Sequence, residues 1–142
     1  MKIWQGIVLS LAAIIVLTVT VPMFTNPLRR PRSMVTNYIL NLTPIGMHID
    51  DVVEIVESRD DWRVHYISYE WGFMHPRHGA RDGWPTSRSG HPIIGEQSIR
   101  VHAGMYRAWY KLFFNTFVGV FWGFDEDGKL IEIFVWKSID AL

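Results

Sequence analysis

Between Lys2 and Arg29 the chain carries no charge, and residues 6–21 are apolar apart from Ser10, Thr18 and Thr20. This stretch constrains the chain more than any other. An uncharged run over 3–28 reaches the roughly 20 apolar residues that cover a bilayer core. A cleaved signal peptide needs a shorter apolar stretch and a small-residue cleavage site, and Thr18 and Thr20 stand where that site belongs. A buried core helix is the remaining alternative, but a domain of about a hundred residues has little room for a helix that is apolar on every side. The expectation is an uncleaved transmembrane helix over 1–25, followed by a juxtamembrane linker over 26–32 and a folded domain over 33–142. Single-pass residence at the cell membrane follows, with the lipid bilayer as a partner.

Orientation is less marked. Lys2 and the amino terminus flank one side of the run, and Arg29, Arg30 and Arg32 flank the other. The positive-inside rule places the arginine side in the cytoplasm by about one charge.

Basic and acidic residues balance at 14 each, so there is no electrostatic case for nucleic acid. The absence of cysteine removes disulfides, thiolate metal sites, cysteine nucleophiles and lipidation through a thiol. Aromatic side chains supply 14% of the residues, which lets a small domain fill a core with few residues.

Pro22, Pro27 and Pro31 mark a stiff exit from the first helix. Ser33 is placed to cap a helix over 34–42, in which Met34, Tyr38 and Leu42 recur every four residues. Pro44 and Gly46 end it. A second helix is expected over 49–57, where Ile49, Val52, Val53 and Val56 form one stripe and Asp50 and Asp51 suit the positive end of the dipole. The rest reads as strand: 62–73, 98–105, 112–124 and 130–136, rich in aromatic and β-branched residues. The last two join through Asp125, Glu126, Asp127 and Gly128, a hairpin turn. Between the first and second of these strands, residues 73–95 are rich in glycine and proline and read as a long loop, a type that is usually functional.

Alternation in the last strand puts Ile131, Ile133 and Val135 on one face and Leu130, Glu132, Phe134 and Trp136 on the other. The strand before it is bulky on both faces. A sheet apolar on both sides needs a second cover, a partner, or the loop.

Gly46 and Met47 stand three residues before Asp50-Asp51-Val52, and Phe124 to Leu130 close the sheet. In this order the motifs resemble the small outer-membrane-assembly lipoprotein family (SmpA/BamE-like), whose fold β-lactamase inhibitory proteins also use. The likeness is nearest to uncharacterised membrane-anchored relatives in Gram-positive bacteria, and it covers about 42–139. The family's lipidated cysteine is missing, and Glu57-Ser58-Arg59-Asp60 stands where a Gly-x-Pro often follows the second helix. The resemblance implies an α+β fold: two short helices packed on a four-stranded antiparallel sheet, here preceded by one transmembrane helix. It also implies a non-enzymatic protein-interaction module of the bacterial cell envelope, with the domain extracytoplasmic and another envelope protein as partner. No cofactor is expected.

Candidate contact residues are Trp84 in the loop and Phe134 and Trp136 on the last strand. Trp dominates binding hot spots because it buries a large area at small entropic cost. The alternative places Phe134 and Trp136 under the loop in a second small core. A different class of function would use His75, His78 and His91 as metal ligands, or as the centre of a ligand-binding or hydrolytic site. Zinc needs three or four ligands in tetrahedral array, and a His-x-x-His with Pro between is a weak match. Asp125 and Asp127 before Gly128 fail the calcium-loop pattern, because Phe134 falls where a bidentate Glu is required. No G-x-S-x-G, Walker or dinucleotide pattern is present.

Overall fold

A computed structural model describes residues 2–76, 87–107 and 115–139. Helix α1 runs Lys2–Thr25, a 3-10 turn follows at Pro27–Arg29, and then come α2, Arg32–Leu42, and α3, Ile49–Glu57. The strands are β1, Arg63–Ser68; β2, Phe73–Met74; β3, Ile93–Ile94; β4, Gln97–Arg107; β5, Asn115–Phe124; and β6, Leu130–Ile139. An antiparallel sheet of order β1-β4-β5-β6 and a two-stranded β2-β3 ribbon make up an α+β architecture.

Among the described residues, no helix is long and apolar enough to cross a membrane. This overturns the transmembrane anchor over 1–25. The placement as a single-pass protein of the cell membrane with an extracytoplasmic domain goes with it.

α3 begins and ends where its apolar stripe does, and Ile49, Val52 and Val56 are buried. His48 caps it, its Nδ1 accepting the Asp50 amide at 3.4 Å. In α2 the buried residues are Val35 and Ile39, while Met34 is exposed. The face therefore sits one residue on from the Met34–Tyr38–Leu42 stripe. The helix also starts earlier: Pro31 occupies the cap position without a side-chain bond, and Ser33 lies inside the helix.

These two helices cover one face of the sheet. Ile99, Val101 and Ala103 of β4, Val118, Val120, Trp122 and Phe124 of β5, and Val135 of β6 complete the core with them. Trp122 donates its indole N–H to Thr43 Oγ1 at 2.9 Å, and that hydroxyl donates to Ile39 O at 3.0 Å. The end of α2 is thus pinned to the middle of the sheet.

The β5–β6 turn forms as expected. Gly128 has φ +74, and Asp125 Oδ1 accepts the amides of Asp127 and Lys129. The register then shifts between Gly123 and Phe124, so Phe124 pairs with Leu130 while Gly123 pairs with Glu132. Ile131 is the extra residue of this bulge. The bulge moves Leu130 into the helix-side core instead of onto the face of Phe134 and Trp136.

The segment before α2 is tied down by Lys137, whose ammonium donates to Leu28 O at 2.7 Å and Arg30 O at 2.6 Å. Burial, and next the charge of Arg32, hold the Lys137 ammonium below the usual lysine range. Leu28 packs toward Gly104, where a β4 bulge and φ +136 leave space that a Cβ would take, 3.0 Å from Leu28 Cδ1.

Candidate functional site: the sheet face away from the helices

The second face of the sheet is defined by register. One row across the strands is Arg63, His102, Gly119 and Trp136; the next is Tyr66, Arg100, Phe121 and Phe134; a third is Ser68, Ser98, Gly123 and Glu132. On β5 this face alternates ring and glycine: Phe117, Gly119, Phe121, Gly123. It is therefore less crowded than a strand bulky on both faces would be.

The glycines explain what sits on them. A Cβ at Gly123 would meet Ile94 Cγ2 at 2.9 Å and Phe73 Cε1 at 3.0 Å. The β2-β3 ribbon thus lies directly on the sheet, and Phe73 and Ile94 are fully buried there. The Phe73 ring stands 5.4 Å from Phe121, and Phe121 stands 6.3 Å from Phe134. A Cβ at Gly119 would meet Trp136 Cε3 first, at 3.4 Å. The indole rests on bare backbone and keeps 36% of its surface exposed.

Of the sequence candidates, Phe134 and Trp136 lie on this face, Phe134 half-buried beside the ribbon and Trp136 beyond it. Trp84 and His78 lie outside the described residues. His75 is buried in the ribbon, its ring edge-on to Phe134 at 4.5 Å between centroids and its Nε2 4.0 Å from Glu132 Oε1. His75 and His91 both flank the ribbon, and the His75 amide donates to Pro92 O. Among the described residues, no group of three or more His, Asp or Glu is placed to hold a metal ion.

Sequence reasoning missed the cations of this face. The Arg100 guanidinium lies over the Phe121 ring at 5.1 Å, and that of Arg32 over Phe134 at 5.8 Å. The His102 ring lies tilted against Phe117, 5.4 Å between centroids, and its Nε2 is buried without a hydrogen-bond partner. Burial, and next the positive charge of Arg63, hold His102 below the usual histidine range. The alternation of Phe117, Gly119, Phe121 and Gly123 was the signal available in the sequence. A strand that spends every second residue of one face on glycine has something lying against that face.

Comparison with family models, curated proteins and solved structures gives no match.

Proposed function

We propose that this chain is a non-enzymatic protein-binding module whose contact surface is the open half of the second sheet face, centred on Trp136. The observation that carries the reading is the uneven cover of that face. The ribbon buries Phe73 and Ile94 against Gly123, whereas Trp136 and Met105, with 36% and 59% of their surfaces exposed, lie beyond it. Exposed Trp and Met beside arginines is the composition of a contact core and not of an ordinary surface. Phe134, half-buried beside the ribbon, is on the same face two residues before Trp136.

The BamE-like relationship is part of this proposal. Two observations favour it: two short helices precede the antiparallel sheet, and the two motifs that carry the resemblance meet. Gly46 N donates to Leu130 O, Leu130 N to Met47 O, and Ile49 N to Gly128 O, each at 2.8 Å.

The test compares tagged wild-type chain with Trp136→Ala by co-purification and thermal melting. A contact residue loses the co-purifying protein and keeps the melting temperature. A melting temperature several degrees lower with the same co-purifying protein makes Trp136 structural and ends the proposal.

A further inference from the structure

We infer that the open half of the second sheet face takes an acidic segment of a partner protein, its carboxylates pairing with Arg63 and Arg100. The inference rests on the reading of this face as a contact surface and names the chemistry of what it contacts.

The face is charged unevenly. Register places Arg63, Arg100 and His102 on it in adjacent rows, and carries Arg107 onto it opposite Asn115 at the end of β4. The only carboxylate that the described strands bring to this face is Glu132, at the covered end and within 4.0 Å of His75. Among the described residues, the ion pairs are His48–Asp50 and His75–Glu132, and neither Arg63 nor Arg100 belongs to one. Arg100 is half-buried against Phe121, so its guanidinium is partly stripped of water without a counter-charge. A guanidinium in this state gains most from a carboxylate, which it can bind in two parallel hydrogen bonds.

His102 points to the same chemistry. Arg63 faces it from β1, and from β5 it meets Phe117 and Gly119, which are uncharged. Its buried Nε2 has no acceptor or donor to meet. A carboxylate arriving between Arg63 and Trp136 offsets the Arg63 charge and lets the imidazole take up a proton.

A single-stranded nucleic acid is also anionic and stacks on aromatic sheets. Two features favour the peptide. The rings of Phe73, Phe121 and Phe134 are tilted against one another and half-buried or buried, which leaves few open ring faces for bases. The chain is neutral overall, and α3 presents Asp50, Asp51, Glu54 and Glu57, so a long polyanion is repelled elsewhere on the same small molecule.

The experiment uses the full chain and three fluorescent peptides of one sequence and length, in which every second residue is Glu, Gln or Lys, together with a single-stranded RNA of matching length. Anisotropy is read at low and at physiological salt. The Glu peptide is expected to bind about tenfold more tightly than the Gln and Lys peptides, and to weaken as salt rises. Arg63→Gln combined with Arg100→Gln is expected to remove most of that preference. Neither arginine is in the core, and a melting curve checks that the variant is folded. In wild type, the Glu peptide is expected to move the His102 NMR titration upward. Equal binding of the Glu and Lys peptides, an unchanged preference in the double variant, or tighter binding of the RNA overturns the inference. These failures differ from failure of the contact reading. A charge-blind surface still loses its co-purifying protein on Trp136→Ala, whereas a face that is not a contact surface keeps it.

Discussion

Thr43→Val isolates one hydrogen bond in the middle of the fold. The hydroxyl of Thr43 accepts the Trp122 indole N–H at 2.9 Å, and both residues are fully buried. Valine keeps the shape of threonine and replaces the oxygen by a methyl. Ile39 O loses the hydroxyl but keeps the Thr43 amide at 2.8 Å, so only the indole N–H is stranded. A buried donor left without an acceptor costs about 1–3 kcal/mol. For a domain of this size each kcal/mol lowers the melting temperature by roughly 4 °C, so the expected fall is about 4–12 °C. Thr43→Ser is the control. It keeps the oxygen and removes one methyl, a loss of about 0.8 kcal/mol in burial. The ranking by circular dichroism melting is therefore wild type, then Ser, then Val. A Val variant as stable as wild type, or more stable than Ser, refutes the argument that this bond ties α2 to the sheet.

Three further outcomes follow from the same geometry. Gly123→Ala forces the ribbon off the sheet by a few tenths of an ångström at Ile94 and Phe73; a loss of about 1–3 kcal/mol is expected, with faster hydrogen exchange at the His75 amide as its local sign. Lys137→Met removes the donor shared by Leu28 O and Arg30 O; cleavage by trypsin after Arg29 is expected to accelerate about tenfold, and an unchanged rate would show that the clamp is dispensable. The lowered His102 pKa means that the unfolded chain binds the extra proton first on acidification. Its contribution to stability is therefore complete above the ordinary histidine value of about 6.5 and is lost as the pH falls from there toward the folded value; His102→Gln should flatten that part of a stability–pH profile.

Much of the fold was legible because its signals are local. The stripe of Ile49, Val52 and Val56, the Asp125–Gly128 turn and the antiparallel strands all follow from short-range periodicity, and α3 falls on its expected residues. What was not legible depends on register between strands. The bulge at Gly123 and Phe124 reverses the side of Leu130, and nothing within β6 alone announces it. The α2 face shifted to Val35 and Ile39 because the helix packs by what lies against it, here β6, not by its largest side chains. The uncharged N-terminal run suggested a membrane span by composition, and among the described residues no helix is long and apolar enough to cross a membrane. At the site, Phe134 and Trp136 could be chosen from alternation within β6. Arg63, Arg100 and His102 could not, because they join the face only through pairings from β1 to β6.

The central claim is that the sheet face around Trp136 meets a partner and the helix-covered side does not. A photo-reactive side chain placed at Met105, exposed on the same face as Trp136, and another at Glu54, exposed on α3, separate the two directly. Irradiation in cells followed by mass spectrometry should give protein adducts from position 105 and none from position 54. Adducts from position 54 alone, or equally from both, would contradict the account.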